Sequence, residues 1–153
     1  MRLPLSKDLK TVVNNLKRVD ADQIVIDLMT TPESKKFIIR MNTQGQLFQL
    51  GEDSRGIRLD TIGGGYSALT KQIKSAINSP IDRVTLNDTG AFYDSWRVTK
   101  EGKAIIITAN PIKDDDNLFD RWGMDVVGLQ EGNLYRLIDA VLEQFGQEIK
   151  KSI

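Results

Sequence analysis

Ser95-Trp96-Arg97-Val98-Thr99-Lys100-Glu101-Gly102-Lys103-Ala104-Ile105-Ile106-Ile107-Thr108-Ala109 is the stretch that decides the fold class. Its two arms, Ser95 to Thr99 and Lys103 to Ala109, read as strands, and Lys100-Glu101-Gly102 between them reads as a hairpin turn. A sheet begun this way is mainly antiparallel. Arg83 to Leu86 is a further strand candidate, and Pro111 ends the last strand because it has no amide hydrogen to donate to a ladder. Helical patterns surround these strands. The expected class is therefore α+β, a small antiparallel sheet with N-terminal helices and a long C-terminal helix packed on it.

Toward the C-terminus, Leu134, Leu137, Ile138, Val141, Leu142, Phe145 and Ile149 trace one apolar stripe at helical spacing. Toward the N-terminus, Leu9, Val12, Val13, Leu16 and Val19 do the same, with Ser6 and Asp8 supplying a cap and negative charge. Gln23 to Met29 fits either a helix or a short strand, since Ile24, Val25 and Ile26 are β-branched. Thr30-Thr31-Pro32-Glu33 opens a second helix, with Thr as cap, Pro in the first turn and Glu near the positive end. Phe37, Ile38, Met41, Leu47 and Phe48 form its apolar side, Gly45 weakens its middle and Gly51 stops it. Its polar side, Asn42, Gln44, Gln46 and Gln49, carries no charge. Residues 51–66 then read as a long glycine-rich loop ending at Gly63-Gly64-Gly65. A short helix follows over Ser67 to Ile77, with Leu69, Ile73 and Ile77 on one stripe.

The chain has 153 residues, which suits one domain spanning 1–153. Lys plus Arg number 21 and Asp plus Glu number 21, so no net field draws in nucleic acid. Cysteine and histidine are both absent, which excludes disulfides, thiolate nucleophiles, Ser-His-Asp triads and His- or Cys-ligated zinc. The apolar runs, such as Ala104 to Ile107, are too short to span a bilayer, and no signal-peptide core stands near Met1. No cofactor and no membrane partner are expected.

Three clusters invite a chemical reading. Gly63-Gly64-Gly65 with Tyr66 and Lys71 matches neither phosphate-binding loop pattern and reads as a turn. Asp114-Asp115-Asp116 lacks the spaced ligands of a calcium loop and reads as a solvated turn, Lys113 to Asn117. Glu52, Asp53 and Asp60 sit close together in sequence and offer a glycosidase carboxylate pair, Glu52 with Asp60, of the kind that suits a phage-type lysozyme, but no apolar pocket nearby would raise an acid's pKa. Lys71, Lys74 and Arg83 supply local positive charge for a DNA-contacting adaptor.

Leu86-Asn87-Asp88-Thr89-Gly90-Ala91-Phe92-Tyr93-Asp94-Ser95-Trp96 resembles the L-x-D-T-G-x-L-x-x-S motif of the bacteriophage virion-morphogenesis, or tail-completion, family. In physical terms Asp88 and Thr89 cap a turn, Gly90 allows the reversal, and Phe92 and Trp96 bury as Ser95 begins a strand. Downstream, Leu118 to Gly123, including Trp122, followed by Val127-Gly128-Leu129 and a long helix, is similar to a second segment of that family. Upstream, Asp53-Ser54-Arg55-Gly56 resembles a third, although Ile57 or Leu59 stands where the family has tryptophan. The resemblance spans about residues 35–145.

It implies a small α+β protein of the head-tail connector or neck, which completes the tail or joins it to the head as a ring, often hexameric. Partners would be identical copies and other neck, portal-adaptor or tail-tube proteins, with DNA passing through the lumen unread. The location would be the virion, and the host cytoplasm during assembly. The loop would then order against a neighbour through Ile57, Leu59, Ile62 and Tyr66. The helix face around Asn42 to Gln49 and Lys150-Lys151 are the other expected contacts.

Overall fold

The computed structural model describes residues 7–152. In chain order these form α1 (Lys7–Lys17), α2 (Ala21–Met29), α3 (Pro32–Arg40), a π-helix (Met41–Leu50), α4 (Leu59–Gly63), α5 (Ala68–Ala76) and α6 (Ala91–Asp94). The hairpin β1 (Arg97–Glu101) and β2 (Ala104–Thr108) follows, then a smaller hairpin of β3 (Ile112–Lys113) and β4 (Asp116–Asn117). α7 (Leu118–Trp122), a 3-10 turn (Met124–Val126) and α8 (Glu131–Ser152) complete the chain. Both sheets are two-stranded and antiparallel, so the class is α+β. The expected cap at Ser6 lies outside the described residues, as do the side chains of Leu9 and Val13.

Local chemistry explains most boundaries. Gln23 to Met29 is helical because Asp20 caps α2, accepting from the Gln23 amide at 3.1 Å. Thr31 caps α3 by accepting from the Ser34 amide at 3.2 Å, with Pro32 in the first turn. Gly51 closes the π-helix at φ +67°, and an added Cβ there would stand 2.8 Å from Arg83. The main hairpin pairs Glu101 with Ala104, so its loop is Gly102-Lys103 and not Lys100 to Gly102. Strand β1 begins at Arg97, because Ser95 still closes α6, its hydroxyl donating to the Phe92 carbonyl at 2.6 Å. The solvated turn at Asp114-Asp115 belongs to the second hairpin.

Two expectations fail. Arg83 to Leu86 forms no strand and pairs with none among the described residues, Leu86 takes a left-handed backbone, and the Thr85 backbone is satisfied by side chains described below. The 51–66 segment contains α4, and Leu59 is fully buried, which removes it from any surface contact. Gly63 is there for closeness: an added Cβ would meet Trp122 Nε1 at 2.6 Å, so only glycine lets α4 approach α7. Ile57 and Ile62 remain exposed.

The apolar interior has two adjoining parts. Phe92 sits in the first, edge-on to Trp96 at 5.8 Å and to Phe119 at 6.5 Å, among Leu47, Leu59, Val84 and Trp122. The second joins Ile38 and Met41 to Val98 of β1 and to Leu137 and Val141 of α8. Ile39 and Ile107 pack against both. The long helix thus meets the hairpin through this second core while lying on α1 and α2. Ion pairs Lys100–Asp27 and Lys103–Asp22 tie the hairpin to α2 at the surface.

The π-helix locks these parts together. Asn42 and Gln46 are fully buried, so the uncharged polar side expected at a subunit contact faces inward at these two positions. Asn42 accepts from the Gly128 amide at 3.0 Å and donates to the Ile38 carbonyl at 2.9 Å. Gln46 donates to the Gly128 carbonyl at 2.8 Å and accepts from the Gln130 amide at 2.8 Å and the Asn133 side chain at 2.9 Å. Gln46→Leu leaves partly buried groups on Gly128, Gln130 and Asn133 without partners, and we expect a loss of about 2 kcal/mol. Urea denaturation checks this as a lower midpoint at unchanged slope.

Candidate docking groove

The Asp-Thr-Gly turn forms one wall of a groove of about 490 Å³. Opposite it stand Tyr66, Ile73 and Lys74, with Ile112 and Lys113 at a third side and Phe92, Leu118 and Trp122 as its apolar base. Gly90 at φ +88° starts α6, and the Thr89 hydroxyl accepts from the Ala91 amide at 3.3 Å. Asp88 is ion-paired with Lys113 across the groove mouth, which holds its carboxyl below the usual range. Leu86 adopts φ +54°, an uncommon strain for a branched residue, and it packs on the first core.

Thr85, fully buried, is the hub behind this wall. Its amide donates to the Tyr66 hydroxyl at 2.8 Å, and its carbonyl accepts from the Tyr93 hydroxyl at 2.5 Å. Two tyrosines therefore do for this backbone what a neighbouring strand would otherwise do. Tyr66 is engaged within its own chain. Lys74, only 6% exposed, donates to the Asn87 carbonyl at 2.8 Å and lies 4.9 Å above the Tyr66 ring.

The other candidate residues are not brought together around a reacting centre. Asp60 is gripped by Arg58 at 2.6 Å, which lowers its pKa. Glu52 instead accepts from the Gln130 side chain at 3.0 Å, and neither carboxylate lines the groove. Asp53 is fully buried, where it accepts from the Arg55 and Ile57 amides and pairs with Arg55 at 2.7 Å, bracing its own turn. Among the described residues no acidic cluster is disposed to hold a metal ion, Asp114 to Asp116 included. Of the cations proposed for DNA, Lys71 is exposed, but Lys74 is buried and Arg83 is spent on the Phe48 carbonyl and Asp82.

Apart from Asp88 and Thr89, which are exposed at the groove wall, the resemblance motif residues are buried or partly buried. Phe92, Trp96 and Trp122 are buried, Gly123 ends α7, Gly128 takes both amide bonds from the π-helix, and Leu129 packs on the second core. Ser95 links α6 to the end of β2 by accepting from the Asn110 amide at 2.9 Å. Lys151 pairs with Glu148 on the surface of α8. Sequence reasoning missed the burial of Lys74 and the role of Thr85, for which no local pattern exists.

Burial pushes the Tyr93 hydroxyl far above its ordinary range. A raised folded-state pKa stabilises below about pH 10, where unfolded tyrosine stays protonated, and that contribution is lost as pH climbs further. Tyr93→Phe should cost about 2 kcal/mol at neutral pH by leaving the Thr85 carbonyl unpaired. That deficit should shrink above about pH 10, because only the wild type loses stability from this ionisation. Urea midpoints of both proteins at neutral and alkaline pH check it.

Among the described residues no helix is long and apolar enough to cross a membrane. No family model, curated protein or solved structure matches the chain.

Proposed function

We propose that this protein is a structural virion component of the head-tail connector, or neck, of a tailed bacteriophage, completing the tail or joining it to the head as a ring of identical subunits. The observation that carries this reading is the position of the motif residues. Asp88, Thr89 and Gly90 make a groove wall, Phe92, Trp96 and Trp122 pack together in the first core, and Gly128 is held by Asn42 and Gln46 of the π-helix. Two of the three motif segments thus share one aromatic core, and the third, Asp53 to Gly56, is joined to the 3-10 turn after α7 by the Ser54 amide, which donates to the Asp125 carbonyl at 2.8 Å.

The surface supports a building block. Exposed aliphatic side chains recur in rows on α5 and α8, and such rows mark protein contacts. The hydrolase alternative has less support, because Asp60 is clamped as an ion pair and Glu52 serves a structural bond. A DNA-contacting adaptor has less too, since Lys74 and Arg83 are tied to carbonyls of their own chain. DNA would pass through the ring lumen without being read. Portal-adaptor and tail-tube proteins are the expected neighbours.

The test is location. Antibody labelling of purified virions viewed by electron microscopy should place the protein at the junction of head and tail, and the isolated protein should show a mass of several chains. Absence from virions, or digestion of peptidoglycan that is lost in Glu52→Gln, would overturn this assignment.

A further inference from the structure

The β3–β4 hairpin borders the groove from a pinned root. The Leu118 amide donates to the Pro111 carbonyl at 2.9 Å, and the Ile112 amide donates to the Asn110 side chain at 3.1 Å. Asn117 then turns the chain straight into α7 by accepting from the Phe119 amide at 2.9 Å. Beyond this root the two strands pair with each other alone, Ile112 with Asn117 and Lys113 with Asp116. Residues 112–116 are all exposed, Ile112 by 57%, although Phe92, Leu118 and Trp122 in the groove they border are buried.

A single contact ties this hairpin to the facing wall. Among the described residues, the Lys113 ammonium on the Asp88 carboxylate is the only hydrogen bond or ion pair that residues 112–116 make beyond residues 110–117. Lys113 and Asp88 are 48% and 57% exposed, so water and salt screen the pair and its hold is weak. Its neighbours work against it. Asp114, Asp115 and Asp116 enter no ion pair among the described residues, so the tip without Lys113 is purely acidic and borders the same groove as Asp88. Lys74 also draws on Asp88 from inside the groove, but from beyond ion-pair distance and while bonded to the Asn87 carbonyl.

We propose that the β3–β4 hairpin is a flap, hinged at Pro111 and Leu118 and latched shut by the Lys113–Asp88 ion pair, whose release bares the apolar base of the groove. Shut, the flap keeps Phe92, Leu118 and Trp122 from water; open, it uncovers them together. Release takes only what weakens an exposed ion pair, such as raised salt or a competing charged surface. The latch works within one chain and needs no ring.

Trp122 reports the opening, because Trp96, the other tryptophan, is sealed in the first core at 1% exposed. Acrylamide quenching of tryptophan fluorescence is measured on the whole protein at low and high salt, beside Lys113→Ala, Asp88→Asn and the exchange of Asp88→Lys with Lys113→Asp. Wild-type quenching should rise with salt. Each single variant should raise the quenching constant about two- to fivefold at low salt, the range an exposed ion pair commands, and lose the salt dependence. The charge exchange should restore wild-type behaviour, and a retained melting transition separates opening from unfolding. The absence of cysteine also permits a lock: Asp88→Cys with Lys113→Cys should quench like Lys113→Ala, and bridging the two thiols with a short bismaleimide should return quenching to the low-salt wild-type level. Wild-type quenching in Lys113→Ala, or a rise that the charge exchange leaves in place, would overturn the latch. Quenching unaltered by the bridge would overturn the flap.

Discussion

The grip of Asn42 and Gln46 on Gly128 and Gln130 is the constraint on which the rest of the architecture depends. Two buried amides take both the donor and the acceptor of one glycine, and Gln46 also reaches the start of α8 through Asn133. Each bond contributes about 1 kcal/mol net, but breaking one exposes the full cost of a buried, unpaired group. The π-helix is what aims both amides at one segment, and Asn42 and Thr43 return bonds to the Ile38 and Ile39 carbonyls where α3 gives way to it. Secured in this way, residues 124–130 carry the chain from the first core to the second.

The groove wall is built by the same logic. Thr85 has no strand beside it, so tyrosine hydroxyls reach in from either side, Tyr66 from the approach to α5 and Tyr93 from α6. Side chains distant in sequence thereby hold a stretch of irregular backbone in place. Lys74 is drawn under by the same arrangement, where a carbonyl and a ring face replace water around its charge. The wall can be rigid without a ladder.

Periodicity and capping revealed α1, α3, α5 and the long closing helix, and β propensity the main hairpin, because those signals are local and their residues sit on the element they specify. The aromatic anchors Phe92 and Trp96 were legible for a related reason, since they flank a glycine reversal with few other uses. What the sequence concealed is tertiary. Arg83 to Leu86 has the composition of strand, but a strand needs a partner, and none lies alongside among the described residues. Asn42 and Gln46 look like surface until Gly128 arrives from more than eighty residues away. Their lack of charge was the available hint, because amides tolerate burial when paired and lysine or glutamate seldom do. Leu59 was misplaced because a short helix among glycines leaves too few residues to show a period.

The amide grip also divides the burden of inheritance unevenly between its two sides. Asn42 and Gln46 act through their own side-chain atoms, so exchange at either position removes the bonds, whereas what they hold at 128 and 130 is main chain, which every residue type but proline supplies. Gly128 is bound by a different demand, its φ of +147° and the 3.0 Å that an added Cβ would leave to Ser54. Exchange at 130 therefore leaves the grip of Gln46 in place and costs instead the bonds that the Gln130 side chain makes to Glu52 and to the Asp53 carbonyl.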